Sequence, residues 1–219
     1  MKKNIPNILT CANLIAGCVG IYYVLSGQEY DAIYFVLAGA LFDLLDGLVA
    51  RLLQVSSEIG KHLDSLADLV TFGVLPSFFL LKQVEGEGWI QWFPLLIAAF
   101  SAVRLARFNL DTNQSSEFIG LPTPANAIML TSLIFLPFEL NASSTIPIVA
   151  ISSVLLISNI KLMALKFSHF RLKGNEFRWI LIISTLVLFI VFQWTFIPFL
   201  IPSYVVFSAI NNFLKKDTK

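Results

Sequence analysis

The sequence predicts an all-α fold: a polytopic transmembrane bundle of about eight helices with both termini cytoplasmic. Three observations predict it. Of 219 residues, 57% are hydrophobic and only 13% charged, too few charges to cover a soluble protein of this size. Apolar runs recur along the chain, and a crossing takes ~20 such residues. The basic residues then fall on one side of the layout, as the positive-inside rule requires.

The spans are expected at 5–27, 30–53, 62–84, 88–109, 122–140, 146–166, 177–193 and 197–214. The first follows Lys2 and Lys3 but shows no small-residue cleavage site, so it reads as a helix and not a signal peptide. A polar, glycine-containing stretch around 54–60 lets the second and third spans run antiparallel. The last two spans come from one apolar run. Gln193, Trp194, Pro198 and Pro202 offer a turn in its middle, which predicts a tight hairpin. Alternation places every one of the 15 basic residues except Lys82 on the side of the N-terminus. The chain reads as one integral membrane domain, 1–219, with a core over about 1–170 and the hairpin at 177–214. Its largest soluble pieces, near 110–121 and 167–177, lie on the basic side, so the chemistry is expected there.

Cys11 and Cys18 are seven residues apart. On a helix that spacing is about 10 Å of rise, too long for a disulfide, and both read as buried packing residues. The net charge is +1, and no nucleic-acid partner is expected. The basic stretch from Lys161 to Arg178 is expected to rest on anionic headgroups.

Four carboxylates stand out because an ionisable group inside a span is costly. Asp43 and Asp46 are three apart, Asp64 and Asp68 four apart, so each pair shares a helical face. Antiparallel helices would bring the pairs together near the cytoplasmic surface. Four such charges repel, so cations or protons must compensate them. An oxygen-only ligand set suits Mg²⁺, Mn²⁺ or Ca²⁺, and one or two divalent ions would in turn attract a diphosphate. Gly47 and Ala50 leave room beside Asp43 for a ligand. Gly60 allows close approach one turn before Asp64, and the Arg51 guanidinium could meet a phosphate. Taken singly, a small-residue face or a lone aspartate could equally serve helix packing.

Together these residues spell D-x-x-D-G-x-x-A-R, eight residues, then G-x-x-x-D-x-x-x-D. This resembles the signature of the CDP-alcohol phosphotransferase family, with every fixed position filled. The resemblance implies that Asp43, Asp46 and Asp64, helped by Asp68, hold a pair of divalent ions, Mn²⁺ or Mg²⁺. Asp68 would also be the general base. Gly47, Ala50, Arg51 and Gly60 would surround the CDP moiety, joined by Asn7 and Thr10 of the P-N-x-x-T motif that begins at Pro6. Within that family the chain looks most like the phosphatidylserine synthases. LDSLADLVTFGVLPS (Leu63 to Ser77), RLARFN (Arg104 to Asn109) and GLPTPANA (Gly120 to Ala127) carry that likeness, and KFSHFRLK (Lys166 to Lys173) continues it weakly. One departure is Leu75, where an alanine is common.

The resemblance implies CDP-diacylglycerol and L-serine as substrates, surrounding membrane lipids as partners, a homodimer, and a bacterial plasma membrane with the site facing the cytoplasm. Arg104 and Arg107 share a face of the fourth span and suit the carboxylate of serine, although positive-inside placement alone would also explain them. Asn109, Thr71 and Ser65 are further polar candidates. Two rival readings stay open at this point. One is a sister enzyme using glycerol phosphate or inositol phosphate. The other is an ion-coupled transporter with the four aspartates as a relay, which would need a polar path to both sides.

Overall fold

In a computed structural model, residues 4–55, 57–110, 118–162 and 176–216 are described. Helix α1 covers Ile5–Leu25. A 3₁₀ turn, Glu29–Asp31, leads into α2, Ala32–Leu53. Helix α3, Glu58–Asp68, runs through a π-helical turn, Leu69–Val74, into α4, Leu75–Gln83. The 3₁₀ stretch Gly88–Leu95 opens α5, Leu96–Leu110. Then come α6, Thr123–Thr131, with a 3₁₀ extension Ser132–Phe135, and α7, Ala142–Ile157. Helices α8, Glu176–Phe192, and α9, Ile197–Lys216, end the fold. Among the described residues the fold is all-helical apart from a two-residue pairing of β1 (Phe118–Ile119) with β2 (Lys161–Leu162), antiparallel.

Among the described residues, five stretches are long and apolar enough to cross a membrane: Ile5–Leu25, Glu29–Leu53, Glu58–Gln83, Gly88–Leu110 and Trp179–Asn211. The fifth and sixth expected spans are shorter, at Thr123–Phe135 and Ala142–Ile157. The expected span 146–166 ends at Ile157 because the chain turns there to pair Lys161–Leu162 with β1. Gly120, at φ 72, makes that clasp possible: a Cβ on it would lie 2.9 Å from the carbonyl oxygens of both Leu156 and Ser158. In the fifth stretch, Gln193 adopts a left-handed φ of 49 and breaks the helix. Helix α9 then packs along α6, touching both the Ser132–Phe135 turn and β2. The break divides that stretch into α8 and α9. Lys2, Lys3, the segment 111–117 and the stretch Lys166–Lys173 lie outside the described residues.

Local sequence explains the breaks. Helix α2 ends where Gln54 takes a left-handed φ of 53 and Val55 N–H donates back to the Ala50 carbonyl, a Schellman-type stop. Ser57 caps α3 by accepting from Gly60 N–H at 3.0 Å. The π turn precedes Pro76. Proline has no N–H for the helical ladder, and its ring crowds the carbonyl four residues back. The Ser77 hydroxyl donates to the nearby Gly73 carbonyl at 2.7 Å.

The rod Glu58–Gln83, about 39 Å long at the helical rise, is the most buried of the five spanning stretches. Its Phe72, Leu75, Phe79 and Leu80 form the core with Val36, Ile97, Leu130 and Val149. Glycines bring α1 and α2 close against it, since a Cβ on Gly17 or Gly39 would lie 2.4 Å from Thr71 side-chain atoms. Cys11 and Cys18 are exposed on α1, not buried as expected. The inward face of α1 is taken by Thr10, Asn13, Gly17 and Gly20, which turns both thiols outward. At the end of the bundle where Gln83 Nε2 donates to Glu29 at 2.6 Å, Tyr22, Tyr30, Trp89 and Trp92 are exposed, the composition of a membrane interface.

Candidate active site

The opposite end of the bundle collects the start of α1, the end of α2, the start of α3 and the end of α5. Carboxylate oxygens of Asp43, Asp64 and Asp68 lie within 4.8 Å of one another there. Asp68 is buried, and Asp43 and Asp64 are half-buried. One oxygen of Asp64 is buried without a hydrogen-bond partner. Among the described residues the one ion pair, Lys82 with Glu85, lies at the other end of the rod. Three converging carboxylates, no ion-paired cation and an orphan oxygen together fit a divalent cation.

Asp46 stands beside this trio. The Thr10 hydroxyl donates to it at 2.6 Å and also to the Pro6 carbonyl at 3.1 Å. Asp46 and Asp64 form one wall of an open groove of about 230 Å³. Asn7, Thr10, Gly47, Ala50 and Gly60 line the same groove, so five of the six residues expected around CDP meet in one place. Arg51, the sixth, is exposed, and its Nε donates to the Gly47 carbonyl at 3.0 Å. Its guanidinium reaches to 3.9 Å from where a Gly47 Cβ would be, at the edge of the groove.

Arg104 and Arg107 part company. Arg104 is half-buried, its Nε has no hydrogen-bond partner, and among the described residues it forms no ion pair. Arg107 is exposed and donates to the Ile157 carbonyl at 3.3 Å, tying α5 to the end of α7. Asn109 donates to the Ser65 hydroxyl at 2.8 Å, and Lys61 donates to the Asn109 carbonyl at 3.0 Å.

Sequence reasoning left two side chains out. Lys61 lines the groove but had counted only as a positive-inside charge. Asn13 is fully buried on α1 and donates to Asp68 at 3.0 Å. An amide within an apolar helix is the available signal, one turn beyond the P-N-x-x-T motif.

This geometry can be set beside known proteins. A profile of the CDP-alcohol phosphatidyltransferases matches residues 3–190. The chain belongs to the CDP-alcohol phosphatidyltransferase family. It is 35% identical over 179 residues to the CDP-diacylglycerol–serine O-phosphatidyltransferase of Helicobacter pylori strain 26695, covering 77% of this chain and 75% of that protein. The Bacillus subtilis protein of the same name is 32% identical over 176 residues, 78% of this chain and 94% of its own. The archaetidylserine synthase of Methanothermobacter thermautotrophicus is 32% identical over 162 residues, 72% and 68% of the two chains. Family membership makes this chain an integral membrane enzyme and removes the transporter reading. It also bears on the acidic cluster, because enzymes of this family generally depend on divalent cations.

Proposed function

We propose that the protein transfers the phosphatidyl group of CDP-diacylglycerol to L-serine, releasing CMP and forming phosphatidylserine. The observation that carries the reading is the convergence of Asp43, Asp64 and Asp68 beside a groove walled by the small residues of the family motif. The names of the similar bacterial proteins support serine as the acceptor. Asn7, Thr10, Gly47, Ala50, Arg51 and Gly60 would hold the CDP part, leaving the acyl chains in the lipid.

Asp43, Asp46, Asp64 and Asp68 would hold one or two Mn²⁺ or Mg²⁺ ions. Bound there, a divalent ion would supply Lewis-acid stabilisation for charge on the diphosphate. Asp68 would accept the proton of the serine hydroxyl, freeing that oxygen to attack the phosphorus that carries the diacylglycerol. Arg104, with its unpartnered Nε, would take the serine carboxylate, a charge-assisted contact that guanidinium geometry favours. Arg107 is the weaker candidate for that role, because its guanidinium already serves the end of α7.

The same proposal has one domain over 1–219, a homodimer in a bacterial plasma membrane, and a site that faces the cytoplasm. The clustering of basic residues on the N-terminal side supports that orientation. The test is CMP release from CDP-diacylglycerol by purified protein with Mn²⁺ or Mg²⁺. The acceptors are L-serine, glycerol 3-phosphate, inositol phosphate and water, with Asp68→Asn as control. Serine-dependent release that EDTA and the substitution abolish is the expected result. Release with another acceptor alone overturns serine and leaves the family.

A further inference from the structure

Asn13 lies on none of the motif positions, yet it is fully buried in a membrane helix. Burying an amide there is unfavourable unless its polar atoms are satisfied. Its Nδ2 donates to Asp68 Oδ1 at 3.0 Å, whereas its own Oδ1 has no partner. The backbone of Asn13 is held in turn, since the Thr71 hydroxyl donates to its carbonyl at 2.9 Å. Thr71 belongs to the π turn that begins directly after Asp68. Asp68, Thr71 and Asn13 therefore close a ring of two hydrogen bonds across two helices.

The packing around this ring is close. Thr71 is fully buried and sits between two glycines. A Cβ on Gly17 would lie 2.4 Å from its Oγ1, and one on Gly39 would lie 2.4 Å from its Cγ2. The Gly39 Cβ would also lie 2.8 Å from Asn13 Oδ1. Two glycine positions are thus spent on fitting this threonine and this asparagine.

We infer that Asn13 is a positioning residue. By occupying one oxygen of Asp68, and being itself pinned by Thr71, it fixes which carboxylate oxygen faces the reaction. The inference rests on the reading of Asp68 as the base and a metal-site residue. A hydrogen-bonded outer partner of such a carboxylate sets its orientation, and losing one costs about 10- to 100-fold in metal affinity. Misplacing a reacting group by about 1 Å costs on the order of 100-fold in rate.

The experiment compares Asn13→Ala and Asn13→Asp with the wild type in detergent. It follows kcat, the KM for serine, Tm and Mn²⁺ affinity by electron paramagnetic resonance. N13D keeps the volume but turns an acceptor toward Asp68. The expected result is a kcat lower by about 100-fold and Mn²⁺ binding weaker by about 10-fold or more, with serine KM and Tm near wild type. In a D68N background, adding N13A should change Mn²⁺ affinity no further, because the effect passes through Asp68. A kcat within twofold of wild type overturns the inference. So does an Mn²⁺ effect of N13A equally large in the D68N background. Should N13A fail to fold, Thr71→Val decides: it removes the hydroxyl at nearly constant shape and should lower kcat and Mn²⁺ affinity in the same direction, and wild-type values would overturn the ring. A wild-type protein that binds Mn²⁺ but releases no CMP overturns the proposed function alone, and the Mn²⁺ cycle still decides Asn13.

Discussion

Replacing Gly39 with alanine should disable the enzyme from a position that touches no substrate. A Cβ at Gly39 would lie 2.4 Å from Thr71 Cγ2, whereas ordinary contact begins at 3.4 Å. The difference, 3.4 − 2.4, means that something must shift by about 1 Å. Thr71 has nowhere to go, because its other side abuts Gly17 and its hydroxyl is committed to the Asn13 carbonyl. Asn13 cannot yield either without releasing Asp68. Overpacking of this kind costs about 1–3 kcal/mol of stability. A displacement of about 1 Å passed to Asp68 costs on the order of 100-fold in kcat. Gly47→Ala is the comparator. Its Cβ would meet only the Arg51 guanidinium, at 3.9 Å, but it would project beside the groove. G47A should keep Tm and raise the KM for CDP-diacylglycerol. Serine-dependent CMP release and thermal unfolding in detergent read both variants. A G39A enzyme with kcat within twofold of wild type, or a G47A that unfolds at lower temperature than G39A, would refute the reasoning.

Other consequences follow from the same geometry. Asp43→Asn and Asp64→Asn preserve shape but remove charge from the carboxylate trio. Because a bound metal ion contributes several kcal/mol of charge stabilisation, each should lower kcat by at least about 10³-fold and weaken Mn²⁺ binding in calorimetry. Arg104→Ala should raise the KM for serine by about tenfold or more with the KM for CDP-diacylglycerol unchanged, as expected for loss of a charge-assisted carboxylate contact. Arg107→Ala should instead lower Tm and leave serine KM within about twofold, because its contact is with the α7 terminus; steady-state kinetics with serine varied separates the two arginines. Thr10→Val removes the hydroxyl that donates to Asp46 at 2.6 Å. It should raise the KM for CDP-diacylglycerol while kcat changes less, measured with the lipid varied in mixed micelles.

Much of this architecture was legible because the bilayer imposes simple rules. Helix starts at Ile5, Gly88 and Ile197 fall within a residue of the expected spans, since a helix must carry an apolar run of nearly fixed length. The interruption of the last run was legible for the same reason: a run too long for one crossing, with Pro198 and Pro202 near its middle, is broken at Gln193. What was not legible arises where protein replaces lipid as the surroundings. The sixth span ends early at Ile157, where Arg107 and Leu121 donate to the carbonyls of Ile157 and Leu155, and these partners are about 35–50 residues away in sequence. Irregular backbone at that depth is tolerated only when neighbouring protein supplies the hydrogen bonds.

The site divides along the same line. Spacing on single helices paired Asp64 with Asp68, and the antiparallel course of α2 and α3 was needed to add Asp43; Asp46, its helical partner, turns to Thr10 instead. Spacing could not separate Arg104 from Arg107, which share a helical face and differ only in what α3 and α7 bring to it. Nor could it find Asn13, because its partners Asp68 and Thr71 lie 55 and 58 residues further along the chain, on another helix. Periodicity of 3.6 therefore groups residues on one helix, while the contacts between helices, such as Asn13 with Asp68 and Thr71, decide how they are held.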